Sequence, residues 1–127
     1  RLRPNVNRKP IPAISLAQDT STLTACGNDY DFSDVFIRPF QALAKKNDVL
    51  IAITTSGNSL NVLKVLKDAR SKKISTIGFL GGSGGKCKKF CDIKLIVPSK
   101  STARIQECHI FLGHFIFEQV ENLILKK

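Results

Sequence analysis

The feature that most constrains the fold is the apolar run VLIAIT at Val49–Thr54, which leads through a short polar loop into an amphipathic helical pattern at Leu60–Lys72. A run that is apolar at nearly every position is typical of a strand covered on both faces, as in parallel sheets with helices on either side. This strand–loop–helix unit therefore predicts an α/β fold.

The same alternation continues along the chain. Further strands are predicted at Ala13–Ala17, Ser75–Phe79 and Ile93–Val97. Because strands and helical patterns alternate along the chain, the economical arrangement is a parallel sheet between two helical layers. We therefore predict a three-layer α/β/α sandwich of the flavodoxin-like or Rossmann-like kind.

Two further helices complete the predicted pattern. The first spans Phe32–Lys45, with Ser33 or Asp34 as its N-cap, and the second spans Thr102–Leu125. A chain of 127 residues has room for one domain, which we place at residues 1–127. The chain starts at Arg1 and contains no methionine, so we expect its N-terminal helices and first strand to be missing.

Composition excludes several classes of protein. No apolar run approaches the roughly 20 residues of a membrane span, and no signal-peptide pattern is present. The net charge of +10 invites a nucleic-acid interpretation, but the basic residues are dispersed and the aromatic residues are not interleaved with them. The four cysteines lack zinc-finger spacing, which favours reduced thiols. We expect neither a nucleic-acid partner nor a membrane.

The loop that follows the apolar run is unusually rich in hydroxyl groups. Its hydroxyl side chains belong to Thr54, Thr55, Ser56 and Ser59. Ligands of open α/β sheets bind beyond the carboxyl ends of the strands, and a helix N-terminus attracts anions. Asn58 or Ser59 as the N-cap of a polar turn would explain only part of this pattern. The loop therefore predicts a cradle for a phosphate monoester.

A second glycine-rich loop, GGSGGK at Gly81–Lys86, does not fit a P-loop. The Walker pattern requires a glycine where this chain has Leu80, and a serine or threonine where it has Cys87. We interpret the loop as a flexible connection from a strand to a helix.

Several segments resemble a known family. TTSGNS after VLIAI resembles the phosphate loop of sugar isomerase (SIS) domains, and GNDYDF at Gly27–Phe32 is similar to the Asn-Asp loop of that family. GGKCKKFCDIKLIVPS at Gly84–Ser99 resembles its last crossover and strand. ARIQECHIFLGHFIFEQVE at Ala103–Glu121 resembles the final helix of the bacterial phosphoheptose isomerases.

The resemblance implies an aldose–ketose isomerase. Such an enzyme interconverts sedoheptulose 7-phosphate and D-glycero-D-manno-heptose 7-phosphate, for ADP-heptose and the lipopolysaccharide core. Family members are cytoplasmic homotetramers without an organic cofactor, and some hold zinc in the active site. The resemblance also implies an alternative, a non-catalytic SIS module that binds a sugar phosphate or a protein such as the replication initiator.

The resemblance also assigns roles to residues. Thr54, Thr55, Ser56 and Ser59 would hold the phosphate. Asp29 would bind sugar hydroxyls or position the catalytic helix, His114 would transfer the proton, and Gln106 would bind substrate. Gln106 and His114 would be the metal ligands where zinc is present. Arg1 aligns with an arginine near the substrate, whereas the upstream GNGGS loop and catalytic Glu of the family have no counterpart in this sequence.

Two departures and one geometric constraint qualify these roles. Thr54 replaces the usual Ser but keeps a hydroxyl, whereas Ala103 replaces an Asp of some members. Gln106 and His114 are eight positions apart, about 12 Å along a helix and about 80° around it. They should therefore serve elongated or intersubunit sites, and the excess of apolar residues on this helix favours sites shared between subunits. His109 is interpreted as an ordinary hydrogen-bonded imidazole.

Overall fold

The computed structural model describes residues 7–125. Four helices are α1 (Thr20–Asp29), α2 (Ile37–Leu43), α3 (Leu60–Ser71) and α4 (Thr102–Leu125), and three strands are β1 (Val49–Thr54), β2 (Ser75–Gly81) and β3 (Ile93–Val97). Short 3₁₀ turns lie at Phe32–Asp34 and Cys87–Phe90. The strands pair in parallel in the order β1-β2-β3, so their carboxyl ends meet at one edge of the sheet.

Helices cover both faces of this sheet, which confirms the predicted α/β architecture. On one face, the buried side of α3 packs against Leu50, Ala52 and Leu80, and both Leu66 and Leu80 are completely buried. On the other face, α4 crosses β2 and β3, where the imidazole of His109 makes an edge-to-face contact with Phe79. The two faces differ because α4 packs on β2 and β3 and leaves one face of β1 exposed.

The strand β1 is covered on one face only, which corrects the prediction from its apolar sequence. Its residues alternate between exposed and buried, and Val49 and Ile53 are 55% and 61% exposed. Ile93 of β3 is exposed on the same face. An apolar surface therefore runs along the side of the sheet that α4 leaves open.

The predicted strand at Ala13–Ala17 is wrong. This segment is irregular and turns at Leu16, which alone among its side chains packs partly on the core, while Ile14 is exposed. Pro10 and Pro12 lack the backbone N–H groups that a strand ladder requires. Within the described residues, the sheet consequently has three strands.

The predicted helix at Phe32–Lys45 is interrupted. A continuous helix would need an N–H group at Pro39 to bond the carbonyl of Val35, and proline has none. The chain instead forms the 3₁₀ turn, in which the Asp31 carboxylate accepts the Ser33 N–H at 2.7 Å, and then α2, in whose first turn Pro39 is tolerated. The expected cap at Ser33 or Asp34 is therefore also wrong.

The helix α1 was not predicted at all. Its sequence TSTLTACGND is rich in threonine, and of its side chains only Cys26 is buried, so no apolar periodicity marks it. Asp19 caps its N-terminus by accepting the Ser21 N–H at 3.1 Å, together with the hydroxyl of Thr22. The last residue of this helix is Asp29.

Candidate functional site

The hydroxyl loop, Thr54–Ser59, lies where β1 ends and α3 begins, at the carboxyl edge of the sheet. Thr54 is buried because it is the last residue of β1 on the covered face. Ser59 is the N-cap residue of α3, as predicted, but its side chain makes no capping bond. Its Oγ instead lies 2.9 Å from Thr54 Oγ1, so the two hydroxyl groups form a pair.

The other side of the hydroxyl loop is shaped by Gly57 and Asn58. Gly57 adopts a left-handed conformation with φ of 66°, which turns the chain from the strand toward the helix. The Asn58 N–H donates to Ser56 Oγ at 3.1 Å, and the Asn58 amide donates to the Ser56 carbonyl at 3.0 Å. Ser56 is exposed and Thr55 is half-buried, so both hydroxyl groups lie near the surface.

This arrangement is suited to an anion. The N-terminus of a 12-residue helix faces the loop and carries the positive end of the helix dipole. Hydroxyl groups and backbone N–H groups together can satisfy phosphate oxygens without a cationic side chain. The four hydroxyl residues predicted to hold a phosphate are thus on one connected loop.

The predicted residues of α4 occupy different positions. Gln106 follows the buried Ile105, which packs beside Gly81 at the carboxyl end of β2, so the first turns of α4 pass close to the hydroxyl loop. His114 is exposed and lies further along the helix. Within one chain, α4 therefore passes the carboxyl edge of the sheet at Ile105, the neighbour of Gln106, whereas His114 lies nine positions further along the helix.

Asp29 and Arg1 complete the residues predicted for the site. Asp29 is the last residue of α1, and its carboxylate accepts the side-chain amide of Asn28 at 2.9 Å. Arg1 lies outside the described residues. His109, in contrast, is buried, with Nε2 3.2 Å from the Leu80 carbonyl. The interpretation of His109 as a hydrogen-bonded structural residue is confirmed.

Gln106 and His114 do not fit a single metal ion. They point in directions about 80° apart on α4 and are separated by about 12 Å along its axis. Among the described residues, no group of three His, Cys, Asp or Glu side chains could hold a metal. We therefore assign no step of a reaction to zinc in one subunit.

Cys87 lies directly behind the hydroxyl loop, and its N–H donates to the Gly57 carbonyl at 2.9 Å. Burial, followed by the neighbouring Cys91, raises the pKa of the Cys87 thiol to about 11. The thiolate is the nucleophilic form of cysteine, and at neutral pH this side chain remains a thiol. Cys87 is thus a core residue and not a candidate nucleophile.

The second glycine-rich loop, Gly81–Lys86, contacts the hydroxyl loop, which its interpretation as a flexible connection did not anticipate. It leads into the 3₁₀ turn at Cys87–Phe90 and not into an α-helix. Its backbone is bonded at both ends, with Gly82 N–H donating to the Val97 carbonyl and Lys86 N–H donating to Asn58 Oδ1, both at 3.0 Å. The sequence signal that could have indicated this contact between the loops was the presence of glycines in both of them.

No helix in residues 7–125 combines the length and hydropathy needed to cross a bilayer. A family model described as "SIS domain" matches residues 3–81. Among curated relatives, a phosphoheptose isomerase from Clostridium acetobutylicum is 50% identical over 92% of this chain and 60% of its own length. One from Aquifex aeolicus is 51% identical over 94% of this chain and 63% of its own length.

Solved structures of phosphoheptose isomerases are also similar to this chain. A phosphoheptose isomerase from Neisseria gonorrhoeae superposes with a TM-score of 0.82 and 44% identity, covering 84% of this chain and 61% of that one. The corresponding protein from Francisella tularensis gives 0.81 and 43%, covering 84% and 58%. The chain therefore spans about three fifths of the length of the relatives that it matches.

Proposed function

Because the chain belongs to the SIS-domain family, we propose that it carries the activity of a phosphoheptose isomerase. The reaction interconverts sedoheptulose 7-phosphate and D-glycero-D-manno-heptose 7-phosphate, for the heptose of the lipopolysaccharide core. The observation that carries this proposal is the hydroxyl loop at the N-terminus of α3, in a chain about half identical to proteins of that name. Its substrate is a sugar phosphate, and its site of action is the cytoplasm.

The proposed roles follow the chemistry of the side chains. Thr54, Thr55, Ser56 and Ser59 bind the phosphate, and they anchor the substrate without taking part in proton transfer. Asp29 and Gln106 contact the sugar. Enediol isomerisation removes a proton from the carbon next to the carbonyl and protonates the carbonyl oxygen, and imidazole can perform either step. We assign one of these steps to His114.

His114 and the hydroxyl loop require a site shared between subunits. In one chain, His114 lies on the exposed length of α4, beyond the turns that pass the hydroxyl loop. The same length of α4 exposes Phe111 and Phe115, which are 68% and 54% accessible. We propose a homotetramer in which α4 of one subunit brings His114 to the substrate of another. Zinc held by Gln106 and His114 of one subunit is not part of this proposal.

The test is an isomerase assay with sedoheptulose 7-phosphate on the intact protein. His114→Ala should reduce kcat by about 10²- to 10⁴-fold, the usual contribution of a general acid or base, with phosphate binding retained. Gln119→Ala, another exposed position on α4, is the matched control and should retain turnover. Undiminished turnover in His114→Ala would remove that residue from the mechanism. A wild-type protein that binds the sugar phosphate without turning it over would favour the non-catalytic SIS module.

A further inference from the structure

The two glycine-containing loops at the carboxyl edge of the sheet are in direct backbone contact. A Cβ atom added at Gly57 would lie 2.2 Å from the Gly84 carbonyl oxygen, and one added at Gly85 would lie 2.4 Å from the Gly57 carbonyl oxygen. A Cβ atom at Gly81 would lie 2.0 Å from the Thr55 carbonyl oxygen. Each of these distances is too short for any side chain, so both loops need glycine for the backbones to approach.

The side chain of Asn58 bonds to the second loop at one end and to its own loop at the other. Its Oδ1 accepts the Lys86 N–H at 3.0 Å, and its Nδ2 donates to the Ser56 carbonyl at 3.0 Å. A third hydrogen bond, from the Cys87 N–H to the Gly57 carbonyl at 2.9 Å, holds the turn at Gly57. Gly57 and Asn58 are therefore each held by a contact or bond from the second glycine-rich loop or from Cys87 immediately after it, and Ser56 is held by Asn58.

We propose that the second glycine-rich loop is a buttress that sets the geometry of the phosphate-binding hydroxyl loop, and that Asn58 is its positioning residue. This inference rests on the proposed function. Donors that are already held in place lose little conformational freedom when an anion binds, so the buttress raises affinity without adding a contact to the ligand. The residues of this loop that contact the hydroxyl loop, Gly84, Gly85 and Lys86, are thus part of the binding site although none of them needs to touch phosphate, whereas Gly82, where nothing lies within 4 Å of an added Cβ, is not part of it.

The buttress predicts a specific kinetic signature. The phosphate lies remote from the reacting carbons and is held in both the ground state and the transition state. Loss of such uniform binding raises KM and leaves kcat nearly unchanged. A variant that merely unfolds part of the enzyme would lower the amount of active protein and hence the apparent kcat. A rise in KM at nearly constant kcat therefore indicates a positioning role, whereas a fall in apparent kcat indicates a structural one.

The chain offers a matched pair of glycine variants. Gly85 and Gly82 have φ of 53° and 60°, so replacement by alanine imposes a similar backbone strain at both. Only at Gly85 would the new methyl group also collide with Gly57, since nothing lies within 4 Å of a Cβ at Gly82. In the intact protein, Gly85→Ala should raise the Kd for inorganic phosphate and the KM for sedoheptulose 7-phosphate about tenfold, whereas Gly82→Ala should change neither by more than about twofold.

A second pair keeps the test decisive where Gly85→Ala does not fold. Asn58→Ala removes the bonds to Ser56 and Lys86 and should raise the same two constants, with kcat retained. Asn61→Ala is the control, because within residues 7–125 the side chain of Asn61 bonds only the N–H of its neighbour Val62. Binding by Asn58→Ala equal to that of Asn61→Ala would overturn the buttress while leaving the proposed function intact. A wild-type protein with neither phosphate binding nor turnover would overturn both.

Discussion

The four cysteines show how strongly the environment of a residue controls its chemistry. Cys26, Cys87 and Cys91 are buried, whereas Cys108 is exposed on α4. Burial raises the pKa of the Cys91 thiol above its ordinary value of 9.0, and that of Cys87 to about 11. Cys87 and Cys91 should therefore react slowly with thiol reagents, because burial limits access to them and disfavours the thiolate, which is the reactive form.

We predict selective thiol labelling. Treatment of the native protein with iodoacetamide at pH 8 should modify Cys108 and spare Cys87 and Cys91, and peptide mass mapping identifies the modified residues. Labelling in guanidinium chloride is the control and should reach all of them. Modification of Cys87 in the native state, at a rate similar to that of Cys108, would contradict the burial described above.

Thr54 provides a second prediction at this scale. Thr54→Val keeps the shape of a buried side chain but removes the hydroxyl pair with Ser59. The free energy of unfolding should fall by about 1 kcal/mol, the net value of one hydrogen bond, and phosphate should bind more weakly. Urea titration and phosphate titration measure the two effects. Thr24→Val, on the exposed side of α1, is the control for phosphate binding, and equal affinities in both variants would contradict the role of Thr54.

The junction between β2 and β3 shows how secondary elements are joined by side chains. Thr76 of β2 is buried, and its N–H and hydroxyl both donate to the Asp92 carboxylate just before β3, at 2.8 and 2.9 Å. The backbone N–H of Asp92 in turn lies 2.9 Å from Thr76 Oγ1. The two bonds from Thr76 lower the pKa of Asp92 below its ordinary value of 3.8.

This pKa shift predicts the pH dependence of stability. Since the carboxylate is favoured in the folded state, its contribution is present above the unfolded pKa and is lost as the pH falls through the lower folded pKa. Asp92→Asn should therefore lower the urea midpoint at pH 7, and the difference from wild type should shrink toward pH 2. Because Asp92 is exposed, we expect an effect of about 1 kcal/mol. Glu107→Gln, in an exposed helical ion pair, is the control, and a difference that persists unchanged at pH 2 would contradict this origin.

On the scale of the whole molecule, the described chain exposes a large apolar surface. The exposed large apolar side chains of α4, which are spread around the helix, are Ile110, Phe111, Phe115, Phe117, Val120, Leu123 and Ile124. The open face of β1 adds a second exposed apolar area. Exposed apolar surface of this extent is typical of an interface, which agrees with the proposed sharing of sites between subunits.

We predict that a charge placed on α4 disrupts assembly. Phe115→Glu in the intact protein should lower the mass measured by multi-angle light scattering and, if His114 acts across the interface, should also abolish turnover. Ile14→Glu is the matched control, because Ile14 is similarly exposed, at 58% against 54%, but lies outside α4. A wild-type protein that is already monomeric would contradict the shared site.

The sequence by itself determined the elements whose apolar pattern is local. The bounds of β1, β3 and α4 are as predicted, and the hydroxyl loop is where its sequence places it. The pattern failed where a single residue overrides it, as Pro39 does in the predicted helix, and where a helix such as α1 buries almost nothing. The spacing of apolar residues does not indicate where a backbone N–H group is missing, nor does it indicate a helix that is held mainly by its cap.

Only the tertiary structure decided how the site is held. Asn58 and Lys86 are 28 positions apart, and they meet because β1 and β2 pair in parallel and end at the same edge of the sheet. The glycine-rich loop therefore appeared in the sequence as a flexible connection, although in the fold its backbone is packed against the hydroxyl loop. Contacts of this kind depend on strand register, which local sequence does not encode, and this is why the buttress could not be predicted.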